Sequence, residues 1–274
     1  MTSAMSQPRV AVVTGASRGA GRGIAAALSS RGWRVYATGR SIDSAPPGGV
    51  AVQVDHADDA AVAAFFAKVR ADEGRLDLLV NNAAAISDDL VNPKPFWDKP
   101  IQLAEVLDVG LRSAYVASWY AAPLLVAADR GLIAFTSSPG SVVYMHGPAY
   151  GAQKAGIDKM CADMAVDFQG TGVATVSIWM GILLTEKLRG MFARLPDPQA
   201  ALEKTAAHAE TPEFTGHLID ALYRDPDLHE LSGHTLIGAE LADRYGITDE
   251  GGRRPPSHRA AMGSPRMPSS VVVR

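Results

Sequence analysis

Short runs of β-branched and aliphatic residues alternate with alanine-rich stretches of helical period along most of the chain, and that alternation narrows the folds open to it. It begins with Arg9 to Val13, a helix near Gly21 to Ser30, and Arg34 to Thr38, which together make a βαβ unit. The pattern predicts strands at Val50 to Val54 and Leu76 to Val80, a helix over Asp58 to Arg70, and a long helix from about Ile101 to Ala128. A strand at Leu132 to Thr136, a helix from about Pro148 to Phe168 and a strand at Val173 to Ile178 follow, then a helix near Pro212 to Tyr223 and a strand at His234 to Ile237. Strict alternation implies an α/β fold, a doubly wound parallel sheet with helices on both faces. Such sheets bind ligands beyond the carboxyl ends of their strands, so the residues just after each strand are where function is expected. Gly32 suits a left-handed helix end, and Asp58 suits an N-cap.

With 274 residues, 47% hydrophobic and 20% charged, the chain can bury a full core in one domain, here expected over residues 1–250. A formal net charge of -3 provides no field to attract nucleic acid or anionic lipid, so neither is expected as a partner. A single cysteine, Cys161, and a start (MTSAMSQPRV) without a basic, apolar leader point to a reducing, cytoplasmic setting. The apolar stretch Ala114 to Ala128 is interrupted by Ser118 and Pro123 and flanked by Arg112 and Asp129, which suits a buried helix rather than a membrane span. Residues 184–211, broken by Pro196 and Pro198, look like a substrate lid, and the aperiodic 251–274 reads as a mobile tail.

TGASRGAG stands directly after the first strand and opens the first helix. A phosphate needs a turn free of side chains followed by the N–H groups of a helix N-terminus. Gly15, Gly19 and Gly21 supply the turn, with Ser17 and Arg18 between them. The second strand ends in Thr38, Gly39 and Arg40, where an acid would accept bonds from a ribose 2′-hydroxyl and an arginine would pair with a 2′-phosphate. Arg40 and Arg18 together therefore predict NADP(H). Asp55, closing the third strand, suits an adenine amino group, and a turn-forming role explains it nearly as well. Asn81 and Asn82 follow the fourth strand, where amides tie neighbouring strands and Asn82 lies beside the cofactor path.

Tyr150 and Lys154 fall one helical turn apart, so an ammonium can act on a phenol. The seven tyrosines and seven lysines would give this spacing by chance roughly 0.2 times, so its meaning comes from Ser137 and Ser138 just upstream. Hydride reduction of a carbonyl needs a proton donor at the developing alkoxide and a second donor to orient the oxygen. Bringing a phenol from about 10 to neutrality takes roughly 4 kcal/mol of phenolate stabilisation, which nearby positive charge must supply against desolvation.

With TGASRGAG, NNA, the strand-end serines and YGAQK in this order, the chain resembles the short-chain dehydrogenase/reductase family over about Arg9 to Gly246. The resemblance implies a Rossmann-like sheet of about seven strands and a homodimer or homotetramer built through the helices before Leu132 and around Tyr150. It implies general acid/base work at Tyr150, ribose binding and pKa lowering at Lys154, and substrate orientation at Ser138 in preference to Ser137. Thr185 is placed to bond the nicotinamide amide or a phosphate. The segments DVGLRSAY, SSPGS, FWDKP and LADRYG resemble one subgroup and imply bulky ketones as substrates. Two positions depart from the family pattern: Gly110 stands where a proton-relay asparagine is usual, and Met180 where a proline is usual.

Trp179, Met180, Tyr144, Met145, Trp97 and Phe192 either line an apolar pocket or pack the core. His146 reads as a solvated loop side chain, Cys161 as a small buried apolar residue, and the histidines show no metal-ligand spacing. The reading is thus an NADP(H)-dependent carbonyl reductase. Its rivals are a non-catalytic dinucleotide sensor or scaffold, motivated by Gly110, and an NAD-dependent alcohol dehydrogenase.

Overall fold

The computed structural model describes residues 7–273; residues 1–6, on which part of the leader reading rests, and residue 274 lie outside it. Strand β1 (Val10–Val13) is followed by helix α1 (Gly19–Ser30), β2 (Arg34–Gly39), β3 (Val50–Gln53), α2 (Asp59–Glu73) and β4 (Leu78–Asn81). A run of short helical turns containing α3 (Glu105–Leu107) leads to α4 (Ser113–Val126), β5 (Gly131–Ser137), α5 (Pro148–Asp167) and β6 (Val173–Trp179). Then come β7 (Ile182–Leu183), α6 (Glu186–Phe192), α7 (Pro198–Ala206), β8 (Ala209–Glu210), α8 (Phe214–Arg224), β9 (Thr235–Ile237), α9 (Gly238–Tyr245) and α10 (Arg259–Met262).

Seven strands form one parallel sheet in the order β3-β2-β1-β4-β5-β6-β9, and β7 pairs separately with β8. Because the chain winds outward from β1 in both directions, the order reverses between β1 and β4, and a crevice opens beyond their carboxyl ends. Alternate residues of each strand feed opposite layers. Val13, Val80 and Ala134 join Ile24, Leu28, Leu218 and Leu222 under α1 and α8. Val12, Leu79 and Phe135 join Phe65, Phe66, Leu125 and Ile157 under α2, α4 and α5. Each such fully buried large side chain contributes about 1.5–3 kcal/mol of transfer free energy, so both layers are needed to hold the sheet.

Local chemistry sets the ends. Asp58 Oδ1 accepts from the Ala60 and Ala61 N–H groups at 2.9 and 3.2 Å and starts α2, while Gly32 takes φ 84° just past α1. The long helix expected from Ile101 is broken. Val109 (φ -104°, ψ 88°) and Gly110 (φ 151°) leave helical space, and α4 begins only at Ser113, whose hydroxyl accepts from Gly110 N–H at 3.0 Å. Periodicity could not reveal this, because the apolar pattern continues through a break that only glycine's backbone permits.

Beyond Gly251 the chain carries contacts that its aperiodic sequence does not announce. Arg253 bonds Asp249 at 2.7 Å and donates to the Ala206 and Ala209 carbonyls, and Arg259 pairs with Glu240 at 2.6 Å. Ala206, Ala209 and Glu240 lie well upstream, so no local pattern signals those contacts, whereas Asp249 and Arg253 are four residues apart. Among the described residues no helix is long and apolar enough to cross a membrane.

Candidate active site

The glycine loop and the turn after β4 are stitched together across the crevice. Thr14 Oγ1 accepts from the Asn82 and Ala83 N–H groups at 2.9 and 3.0 Å, and Asn82 Nδ2 donates to the Thr14 carbonyl at 2.9 Å. Side chains are excluded here by contact. A Cβ on Gly21 would stand 2.3 Å from the Gly15 carbonyl oxygen, and one on Gly15 (φ 67°) 2.7 Å from Ala83 Cα. These glycines let the first turn of α1 approach the strand ends and direct its N–H groups into the crevice.

The end of β2 lies directly on this loop. Ala16 N–H donates to the Thr38 carbonyl at 2.7 Å, and a Cβ on Gly39 would meet Ser17 Oγ at 2.2 Å. Arg40 and Arg18, each next in sequence to that contact, are exposed, and neither has a carboxylate hydrogen-bonded or ion-paired to it among the described residues. Arg18 contributes weakly to holding the Asp88 carboxyl low, behind Lys187 and Arg194. Asp55 is exposed and accepts from Ala57 N–H at 3.0 Å, which gives it a turn-forming bond. Beside it His56, absent from the sequence reading, is buried with Nε2 2.9 Å from Thr38 Oγ1, and burial lowers its pKa to about 4. No spacing rule singles out a lone histidine of this kind.

Residues at the start of α6 also reach the loop. Thr185 caps α6, accepting from Leu188 N–H at 3.3 Å, and its methyl group lies 3.5 Å from a Cβ built on Gly19. Glu186, also absent from the sequence reading, accepts from Gly19 N–H at 3.2 Å and pairs with Arg22 at 3.2 Å. A carboxylate therefore sits on one of the N–H groups at the positive end of α1.

On the other side of the crevice Ser138 Oγ and Tyr150 Oη lie 2.9 Å apart. The extended backbone at Ser138 starts a turn capped by its own hydroxyl, which accepts from Gly140 N–H at 3.2 Å. Tyr150 occupies the first turn of α5, and a Cβ on Gly140 would meet its ring at 2.6 Å. Lys154 Nζ lies 5.5 Å from the Tyr150 ring centroid and donates to the Thr136 carbonyl at 3.2 Å. Ser137 is fully buried and its hydroxyl has no hydrogen-bond partner.

Burial raises the Tyr150 phenol, and the Ser138 bond lowers it less. Burial also brings Lys154 down to about 8, against the Asp158 carboxylate that raises it. Burial thus leaves the phenol neutral, and the lysine stays cationic at neutral pH. Two hydroxyls and a buried cation on one wall can donate to, protonate and electrostatically stabilise an oxyanion.

Gly110, at the helix break, has its carbonyl bonded by Gln153 Nε2 at 3.1 Å, so a side chain from α5 fills the space where glycine provides none. Trp179 proves to be core rather than pocket: it is fully buried, with Nε1 donating to Asp158 at 2.9 Å. His146 is exposed, as a solvated loop side chain should be, and it also touches the site. Its ring packs edge-on against Tyr150 at 5.0 Å, its φ of 61° is the one positive non-glycine value among the described residues, and burial, then Lys99, lowers its pKa. Cys161 is buried, and burial raises its thiol pKa.

Glycine loop, asparagine turn, serine and Tyr-Lys pair are thus assembled around the crevice of one parallel sheet, and the chain belongs to the short-chain dehydrogenase/reductase family of oxidoreductases. The family model described as short chain dehydrogenase matches residues 9–195. The chain is 43% identical over 263 residues to Dehydrogenase/reductase SDR family member 1 of Homo sapiens, covering 89% of this chain and 84% of that protein. It is 28% identical over 191 residues to 3-oxoacyl-[acyl-carrier-protein] reductase FabG of Escherichia coli (strain K12), covering 67% and 77%. The fold matches the crystal structure of KRED1-Pglu enzyme with a TM-score of 0.69 at 23% identity, over 83% of this chain and 99% of that one. Members of this family bind a nicotinamide cofactor, NAD or NADP, and the cradle of Gly15, Gly19 and Gly21 fits its pyrophosphate.

Proposed function

We propose that the chain is an NADP(H)-dependent carbonyl reductase of bulky apolar ketones or aldehydes, able to oxidise the corresponding secondary alcohols in reverse. The observation that carries this reading is the pair of hydroxyls on Ser138 and Tyr150, 2.9 Å apart, beside the buried Lys154 ammonium. When bound, the nicotinamide supplies or accepts the hydride. Ser138 orients the carbonyl oxygen by donating a hydrogen bond. Tyr150, neutral through burial, delivers its proton to the developing alkoxide, and Lys154 stabilises the phenolate left behind. Gly15, Ser17, Gly19, Gly21 and Asn82 form the dinucleotide cradle, Lys154 reaches the nicotinamide ribose, Thr185 the nicotinamide amide, and Asp55 the adenine.

NADP(H) in preference to NAD(H) is supported by Arg40 and Arg18, which flank the Gly39 to Ser17 contact without a carboxylate hydrogen-bonded or ion-paired to either. A charge-assisted pair with a phosphate contributes about 1.5–3 kcal/mol. Arg40→Ala is therefore expected to weaken NADPH roughly 10- to 150-fold while leaving NADH unchanged, measured by fluorescence titration. Equal losses for both cofactors would remove the preference from this residue.

Glu186 bears on the same step. Its carboxylate holds Gly19 N–H, which a pyrophosphate would need, so Glu186→Gln is expected to tighten NADPH by about 0.3–1 kcal/mol. Weaker binding in the variant would instead make Glu186 a clasp that closes with the cofactor.

The bulky-substrate reading rests on the wall beside Tyr150. Lys99 donates to the Leu90 and His146 carbonyls at 3.1 and 3.5 Å, tying the 90–101 segment to the loop that carries Tyr144. Exposed Phe96, Trp97, Ile101 and Tyr144 lie on these two segments. We further propose one domain over 1–250 with 184–211 as its lid, and a cytoplasmic homodimer or homotetramer. The exposed Tyr115, Trp119 and Val126 of α4 offer an apolar face to a second copy.

A further inference from the structure

Outside the hydroxyl pair, the most enclosed acid of the molecule lies under the turn that leaves β6. Glu210, in β8, is 2% exposed, and its backbone carbonyl accepts from Leu184 N–H at 3.0 Å, so it anchors the start of the lid. Its carboxyl is pressed against Gly181: a Cβ there would stand 2.6 Å from Oε1 and 2.9 Å from Cδ. The residue before, Met180, donates its N–H to the Ser137 carbonyl at 3.2 Å, one residue from Ser138. The turn is thus held by the strand end carrying Ser138 on one side and by Glu210 on the other. Oε2 is buried with no hydrogen-bond partner, an arrangement that disfavours the ionised carboxylate.

We propose that Glu210 is a positioning residue whose protonation holds the Met180 to Thr185 segment closed against bound nicotinamide, and whose ionisation loosens it. This rests on the cofactor reading above, in which that segment faces the nicotinamide. Burial raises the Glu210 pKa to about 7, with Asp249 adding to the rise. The other charges nearby are engaged: Arg253 bonds Asp249 and the Ala209 carbonyl, Glu240 on α9 pairs with Arg259, and Glu186 on α6 pairs with Arg22. Strands β6 and β7 carry no titratable side chain. Gly238, the first residue of α9, places its Cβ direction 3.9 Å from Oε1 and adds no charge.

The closed segment binds a proton that the open one releases near an ordinary carboxyl value. Affinity for either dinucleotide therefore falls as pH rises, up to about tenfold per unit below pH 7, and levels off above it. The test is fluorescence titration of NADPH and NADH between pH 5.5 and 8 in three chains: native, Glu210→Gln and Gly181→Ala. The native chain is expected to weaken about tenfold or more across this range for both cofactors, relative to a nearly flat Glu210→Gln. Gly181→Ala, which drives the carboxyl away, is expected to bind weakly at every pH. Thermal melts in parallel report the folding of each chain across this range. Equal pH slopes in native and Glu210→Gln chains would overturn the assignment while leaving the cofactor reading intact. Binding of neither dinucleotide by any of the folded chains would overturn both.

Discussion

Tyr150→Phe is expected to lower the turnover number for ketone reduction about 100- to 10,000-fold while leaving NADPH affinity unchanged. The substitution removes only the phenolic oxygen. The ring that packs on Gly140 and His146 stays, as does the Lys154 bond to the Thr136 carbonyl. What is lost is the proton donor and one of the two hydroxyls that define the oxyanion position. The native pH profile adds a signed expectation: Lys154 is cationic below about 8 and neutral above it, so reduction declines as pH rises through that value. Steady-state rates with a panel of bulky ketones, alongside cofactor titration, check both points. An unchanged rate in Tyr150→Phe would move the proton donor elsewhere on the wall.

Gly21→Ala is expected to weaken dinucleotide binding strongly. Its Cβ would stand 2.3 Å from the Gly15 carbonyl oxygen and 2.4 Å from Asn82 Nδ2, so the loop, the asparagine turn or the first turn of α1 must shift. Overpacking of this kind costs about 1–3 kcal/mol, and if the displacement falls on the phosphate cradle it appears as a roughly 5- to 150-fold loss of affinity. Gly32→Ala is the control. Gly32 has the left-handed φ of 84° but nothing within 4 Å of a Cβ, so it should cost stability without touching NADPH binding. Equal binding losses in both variants would show a global effect instead of a local one.

How far the sequence carried these conclusions depends on the range of the interaction. The order of the seven strands of the main sheet and of the larger helices between them was legible because the parallel sheet is buried on both faces and those helices are alanine-rich; the short β7, β8 and α9 gave no such signal. The loop from Thr14 to Gly21, and the one-turn spacing of Tyr150 and Lys154, were legible because each is a local arrangement within one or two elements. The break at Gly110 was not, since a single permissive backbone leaves the apolar period intact. Neither were Glu186 on the glycine loop, 167 residues from Gly19, nor Glu210 under Gly181: both meet partners that stand far from them in sequence. Trp179 was ambiguous in sequence because core and pocket favour the same residue types, and only its burial and its bond to Asp158 separate them.

The measurement closest to the central claim is transfer of label from NADPH deuterated at the nicotinamide C4 position to a bulky ketone, read by mass spectrometry of the alcohol formed. The account predicts one deuterium on the carbinol carbon, formed faster with NADPH than with NADH at equal concentration and nearly abolished in Tyr150→Phe. Tight binding of NADPH with no labelled alcohol from any ketone of the panel would contradict it, and would leave the chain a dinucleotide-binding protein without this chemistry.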